Sequence, residues 1–369
     1  MRPRGIGLDP AGLRQTAARF ALSAPVDSVR PFGSGLINDT FLVAAGESKY
    51  ILQRINSGVF PHPERIMDNL SLLTEHLTRQ PPSDIRIPTL VPTKDGAHFV
   101  RERDGGLWRA VSFIPETIVL SRVDTAAQAR EVGRALGSFH RLVRHLDGGA
   151  LAVPLPDFHV TPRYLDRLTQ ALETAGATGQ APEVRRLAAF ALVRREGAEV
   201  LEAARREARI PLRVTHGDPK LDNFLFDRVS GRAVGLIDLD TVQHGLIQHD
   251  IADCLRSCCN RGGESILVGV PEIQFDLAIC HHILDAFARE TQGLLGPADI
   301  EVLYDAIRLI PLELGVRFLT DHLEGDRYFR VSEPGQNLRK AQVQLALVVD
   351  IERKERDIRA VIRSSFGLR

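Results

Sequence analysis

Alternating apolar and polar positions mark the first third of the chain. Val29–Phe32, Asp39–Ala44 and Lys49–Ile55 are rich in β-branched and aromatic residues and are separated by Gly33, Gly35 and Gly46, which predicts antiparallel strands joined by tight turns. Behind Pro61 and Pro63 the period lengthens: Ile66, Leu70, Leu73 and Leu77 recur at helical spacing. A further hairpin region is predicted from Thr89 to Phe113, turning at Lys94-Asp95-Gly96 and Asp104-Gly105-Gly106. Five strands and one helix then form a small N-terminal lobe over residues 1–114.

Residues 115–369 read as mainly helical. Val132, Leu136, Phe139, Val143 and Leu146 keep a 3.6-residue period behind Asp124, a candidate cap. Helices are also predicted near Glu183–Arg205, Gln274–Glu290, Pro297–His322 and Asn337–Arg363, with Pro311 expected to kink or split its helix. One short β-hairpin, Asn223–Asp238, interrupts them. The expected fold class is α+β, a small β-rich lobe beside a larger, mainly helical one.

Charge narrows the partners. Lys plus Arg and Asp plus Glu both total 47, so no global field draws the chain to nucleic acid or anionic lipid. Met1–Arg19 has arginines without an apolar core behind them, and no uncharged apolar run of about 20 residues occurs. A cytoplasmic protein with no membrane partner is expected. Cys254, Cys258, Cys259 and Cys280 crowd one stretch, a poor distribution for disulfide stapling. Their spacing with His281 and His282 matches no paired zinc motif, so reduced, buried thiols are the expectation.

The chemistry concentrates in Val214-Thr-His-Gly-Asp-Pro-Lys-Leu-Asp-Asn-Phe-Leu-Phe226 and Val234-Gly-Leu-Ile-Asp-Leu-Asp240. An Asp, an Asn five positions later, a hairpin, and an apolar strand ending in Asp is the order that phosphoryl transfer uses. Asp218 would accept or orient the proton of a hydroxyl acceptor. Asn223 and Asp238, brought together by the hairpin, would offer hard oxygen ligands to Mg²⁺ on the ATP phosphates. Read without that order, His216 and Asp218 are a loop with capping side chains.

These segments resemble the aminoglycoside phosphotransferase and choline kinase superfamily, whose motif is His-Gly-Asp with Asn five residues after the Asp, followed by Ile-Asp-x-Asp. The resemblance implies a protein-kinase-like fold, with residues 1–114 binding nucleotide and 115–369 carrying catalysis and acceptor. It implies that His216 steadies the loop, that Asp218 is the base, that Asn223 and Asp238 bind metal, that Asp240 assists, and that Asp250 anchors the loop.

On the nucleotide side, Phe32-Gly-Ser-Gly-Leu-Ile-Asn-Asp-Thr40 lies between strand-like runs, where Gly33, Ser34 and Gly35 would let backbone N–H groups approach phosphate. The strand Tyr50–Ile55 lacks the expected Lys. Gln53 takes its position, while Arg54 carries charge but points to the opposite face unless the strand is bulged. Glu64, Asp68 and Glu75 on the following helix are candidate partners. Trp108–Pro115 occupies the place of an adenine hinge, with Phe113 and Leu52 as walls.

A narrower likeness lies in Gly35-Leu-Ile-Asn-Asp-Thr40, Tyr50-Ile-Leu-Gln-Arg-Ile-Asn56 and Leu312–Phe329, which look like the N-acetylhexosamine 1-kinase branch. It implies transfer to the anomeric hydroxyl of an N-acetylhexosamine, with Asp39, Arg317 and Tyr328 at the sugar. That branch often has His where this chain has Leu36. Rival readings are a kinase of another hydroxyl compound, such as an aminoglycoside, homoserine, choline or methylthioribose, and a nucleotide-binding pseudokinase.

Overall fold

The computed structural model describes residues 10–33, 35, 37–176, 181–263 and 273–368. Its N-lobe contains α1 (Pro10–Ala17), β1 (Ser28–Pro31), β2 (Asp39–Ala45), β3 (Ser48–Ile55), α2 (Glu64–Thr78), β4 (Leu90–Val91), β5 (Val100–Arg101) and β6 (Leu107–Ser112). The strands form one antiparallel sheet in the order β1-β2-β3-β6-β4, with β5 also paired to β6. Alternation gives this sheet two different faces. On the outer one, Leu13, Ala17 and Phe20, in and just after α1, cover Val43, Leu52, Val91, Val100, Trp108 and Ala110. From the inner face, Ile55 and Leu107 join α2 and the helices of the second lobe in the main core.

The C-lobe begins with β7 (Thr117–Ile118) and α3 (Ala126–Val143), whose cap is Thr125 rather than Asp124. Thr125 accepts from the Gln128 N–H while the Gln128 side chain returns to the Thr125 N–H, a reciprocal pair that Asp124 is one residue too early to make. There follow α4 (Thr161–Ala175), α5 (Pro182–Leu192), α6 (Val200–Arg206), β8 (Arg213–Thr215), β9 (Phe224–Asp227), β10 (Ala233–Leu236), β11 (Gln243–Gly245) and α7 (Ile247–Cys258). The chain ends with α8 (Leu277–Glu290), α9 (Pro297–Glu301), α10 (Leu303–Leu323), α11 (Gln336–Arg353) and α12 (Glu355–Ser365).

Several expectations about this lobe are corrected: Pro297–His322 and Asn337–Arg363 are each two helices, α9 with α10 and α11 with α12. The Glu183–Arg205 segment is two helices, broken near Gly197, whose carbonyl accepts from Arg308. Conversely α10 runs through Pro311 without splitting. It is buried around most of its girth against α4, α7 and α11, and that packing offsets the roughly 3 kcal/mol a mid-helix proline costs. Helices α3 and α8 approach so closely that a β-carbon on Gly133 would fall 2.1 Å from the Ile283 carbonyl oxygen. Cys254, Cys258, Cys259 and Cys280 are buried and unbridged. Among the described residues no helix is long and apolar enough to cross a membrane.

Candidate active site

Pairing of β8 with β11 delivers the His216-Gly217-Asp218 loop to the cleft between the lobes. Its backbone is fixed from α7: the buried Asp250 carboxylate accepts from the N–H of His216 at 2.7 Å and of Gly217 at 2.8 Å, and His140 Nε2 of α3 lies 3.1 Å away. Burial acts to raise the Asp250 pKa, but His140 and the donated hydrogen bonds hold it below the ordinary value. Gly217 has φ +87°, and a β-carbon there would sit 2.8 Å from the Thr241 carbonyl oxygen, so the turn excludes any side chain. The His216 ring donates from Nε2 to the Ile237 carbonyl at 3.0 Å and accepts at Nδ1 from the Asp218 N–H at 3.3 Å. Its burial lowers the pKa, which keeps the imidazole neutral in that tautomer.

Asp218 projects into the cleft with its side chain 30 % exposed. Lys220 Nζ donates to its Oδ2 at 2.5 Å, and the Asn223 amide donates to its carbonyl at 2.6 Å. Burial opposes ionisation of Asp218, yet Lys220 outweighs it and holds the carboxyl below its usual range. The hairpin joins Asn223 to Asp238 as its pairing dictates: Leu236 faces Phe224, and the Ile237 N–H donates to the Asn223 carbonyl at 3.0 Å. Asp238 adopts the left-handed conformation, φ 67° and ψ 62°. Enclosure by protein, then the charges of Asp240 and Asp218, push its carboxyl up to about 6, although solvent still reaches the side chain.

A carboxyl resisting ionisation beside other acids is relieved by a divalent cation, and the oxygen donors here suit a hard one. The Asn223 N–H groups point at Asp218, which leaves its amide oxygen as the ligand atom. Among the described residues no group of three or more His, Cys, Asp or Glu side chains is arranged to enclose a metal. Magnesium in phosphoryl-transfer sites takes one or two carboxylates and completes its shell with phosphate oxygens and water, so these residues fit it.

On the N-lobe side the structure brings Gln53 to the cleft and Arg54 away from it. β3 pairs with β2 and β6 without a register shift, which rules out the bulge that would turn Arg54 inward. Arg54 instead bonds Asp104 at 2.6 Å. Leu52 shares its face and is a core residue beside Trp108, so it walls no nucleotide site. The helix carboxylates are also elsewhere: Glu64 pairs with Arg101, Glu75 with Arg79, and Asp68 is exposed. Helix α2 is fastened through Asn69, which donates to the carbonyls of Ala152 and Val242 at 2.9 and 2.8 Å.

Opposite Gln53 in register stands Arg109 of β6. It donates through Nε and Nη2 to the Gln53 amide oxygen at 2.9 and 2.7 Å and forms an ion pair with Asp240. Asp240 also accepts from Asn38 at 2.6 Å, so one C-lobe carboxylate binds two N-lobe residues. At the cleft mouth Phe32 meets Phe113 edge-on, centroids 5.9 Å apart, beside Gly33 at φ +76°. Gly35 is described with that turn, whereas Ser34 and Leu36 lie outside the described residues.

A cavity of about 190 Å³ opens between α4, α10 and the segment after α10, lined by Tyr164, Arg167, Arg317, Glu324, Tyr328 and Phe329 among others. Arg317 lies 5.2 to 5.5 Å from the centroids of Phe158, Tyr164, Tyr328 and Phe329 and bonds the Tyr328 hydroxyl at 3.3 Å. Burial works against its charge, but Tyr164, Tyr328 and Glu313 raise its pKa on balance. Asp321 holds the wall by accepting from the N–H groups of Arg327, Tyr328 and Phe329 at 2.9, 2.7 and 2.9 Å. Asp39 is not part of this lining; it bonds Arg330, two residues beyond Tyr328, at 3.1 Å.

The cavity and the catalytic loop are joined by buried charge. Glu313, 3.9 Å from Arg317, accepts from His159 Nδ1 at 3.0 Å, while His159 Nε2 donates to the Gly217 carbonyl at 2.8 Å. Sequence reasoning passed over Arg109, Asn38, Lys220, His140 and His159. For Arg109 a signal was present: antiparallel register places it across from Gln53 once the hairpins are fixed.

A two-lobed α+β architecture, an antiparallel sheet over a helical lobe, with an Asp-Asn-Asp cluster in the cleft, is that of protein-kinase-like phosphotransferases. The family model for the Phosphotransferase enzyme family, APH, matches residues 28–282, and the chain belongs to that family. Solved structures share the fold. An aminoglycoside phosphotransferase from Alicyclobacillus acidocaldarius superposes with a TM-score of 0.60 at 17 % identity, covering 96 % of both chains. A microcompartment-associated aminopropanol kinase gives 0.55 at 18 %, over 98 % of this chain and 99 % of that one. A spectinomycin phosphotransferase in complex with ADP and spectinomycin gives 0.58 at 11 %, over 95 % and 99 %.

Proposed function

We propose that this kinase transfers the γ-phosphoryl group of ATP to the anomeric hydroxyl of an N-acetylhexosamine, giving the sugar 1-phosphate and ADP. The observation that carries the acceptor class is the charge state of the cavity. Asp321 is spent on three backbone N–H groups, and Glu324 is clamped by Arg167 at 3.0 and 2.5 Å. What remains is the Arg317 guanidinium and aromatic surface. A cationic acceptor finds no uncommitted carboxylate in that lining, whereas a neutral, hydroxyl-rich ring bearing an amide carbonyl finds donors and a stacking face. The sugar contacts we assign are Arg317, Tyr328 and, through the segment it tethers, Asp39.

In this reading Asp218 is ionised at neutral pH because Lys220 favours the charged form. It orients the acceptor hydroxyl and receives its proton as the oxygen–phosphorus bond forms and the bond to the ADP oxygen breaks. Asn223 and Asp238 would hold Mg²⁺, which supplies charge neutralisation on the phosphates. His216 and Asp250 fix the loop's backbone, Gly33 and Gly35 would lie over the phosphates, and Phe113 would border the adenine.

ADP release should be measured with ATP, Mg²⁺ and a panel of N-acetylglucosamine, N-acetylgalactosamine, kanamycin, choline, ethanolamine and homoserine, with ³¹P NMR of the product. Turnover confined to the amino sugars, with phosphorus on the anomeric oxygen, is the expected result. Preferred turnover of a cationic acceptor overturns the sugar assignment, and nucleotide binding with no turnover favours a pseudokinase.

A further inference from the structure

The strand position that ordinarily supplies a cation to nucleotide phosphates holds Gln53, an uncharged side chain. Its cross-strand neighbour on the same face is Arg109, only 3 % exposed, while Glu64 and Glu75 of α2 pair with Arg101 and Arg79 instead. A guanidinium so enclosed needs every N–H satisfied. Arg109 meets part of that need: Nε and Nη2 reach Gln53, and Nη2 also reaches Asp240. Nη1, equally buried, has no hydrogen-bond partner among the described residues.

From this we propose that Arg109 is the cation that meets the nucleotide phosphates, with Gln53 serving as its orienting bracket. The inference rests on the kinase reading above and deepens it. A phosphate oxygen is a strong acceptor for a guanidinium edge. The location agrees, because Asp240, the ion-pair partner of Arg109, belongs to the same Ile-Asp-Leu-Asp segment as Asp238. A purely structural Arg109, latching the lobes through Asp240, leaves two features without a purpose: the uncharged residue at Gln53 and the unpartnered Nη1. Both follow if the pair divides the work of one lysine, the strand position giving direction and its neighbour giving charge.

Calorimetric titration of the full chain with Mg²⁺-ADP and, separately, adenosine tests this, since only ADP carries phosphates. Wild-type protein that fails to bind Mg²⁺-ADP defeats the kinase reading itself, whatever Arg109 does. Given binding, Arg109→Met should weaken ADP by about tenfold or more, the usual loss for a charge-assisted hydrogen bond, and leave adenosine unchanged. An unchanged ADP-to-adenosine affinity ratio overturns the proposal, as does an equal loss for both ligands, which marks a structural latch. Should Arg109→Met not fold, Gln53→Glu decides. It preserves the bonds to the guanidinium while placing negative charge beside it, so the ratio must fall, and a wild-type ratio in that variant overturns the assignment.

Discussion

His159 and Glu313 form a buried pair, Nδ1 to Oε1 3.0 Å, between the cavity and the catalytic loop. Because the opposite ring nitrogen donates to the Gly217 carbonyl, both nitrogens need protons and the ring is an imidazolium. Burial opposes that charge, but Glu313, the Gly217 carbonyl and Asp253 together raise the pKa above its ordinary value. The neighbouring His249 ring, 5.1 Å away, is pushed the other way, to about 3, by burial and the His159 charge. A raised folded pKa means the stabilisation is complete below about pH 6.5 and is lost as pH climbs through the folded value. His159→Gln should therefore lower the thermal midpoint most at pH 6, with the gap to wild type closing at alkaline pH. A gap constant from pH 6 to 10 contradicts the imidazolium.

Asp218→Ala removes the acceptor for the hydroxyl proton and should lower turnover by more than about a hundredfold. Mg²⁺-ADP affinity should change far less, because Asn223 and Asp238 remain. Steady-state rates beside a nucleotide titration separate the two effects, and near-normal turnover rejects Asp218 as the base.

Asp250 satisfies two buried backbone N–H groups, so Asp250→Ala strands both. At about 1–3 kcal/mol for each unsatisfied group, urea midpoints should report a loss of several kcal/mol. Asp250→Asn keeps one acceptor oxygen and should lose roughly half as much. Equal stabilities for the two variants count against the backbone bonds as the source.

Arg317→Met should raise the acceptor KM about tenfold or more while leaving the ATP KM in place, since a buried charged donor is lost from the sugar side alone. Parallel changes in both constants mean that Arg317 supports the lobe rather than the acceptor.

The elements with a clean period were legible in the sequence. Strands β1 to β3, helix α2 and the Asn223–Asp238 hairpin fall where alternation and turn chemistry put them. Helix α7 was not foreseen; it is buried along its whole length, its polar residues Gln248, His249, Asp250, Asp253 and Arg256 included. At the site, motif order placed Asp218, Asn223 and Asp238 in one loop and hairpin, because those residues are near in sequence. What the sequence concealed depends on long-range pairing: Arg109 reaches Gln53 only through strand register, and His159 finds Gly217 across 58 positions. Choosing between Gln53 and Arg54 likewise required knowing that the strand is unbulged.

The wall built by Arg327, Tyr328 and Phe329 is gripped by Asp321 through main-chain atoms, with Asn337 bracing the same carboxylate at 2.9 Å. The path of that turn is consequently indifferent to which side chains it displays. Substitutions there can re-line the cavity without displacing its frame, so under the proposed acceptor assignment this short stretch is where selection or a designed library can exchange one acceptor for another and leave the phosphate chemistry intact.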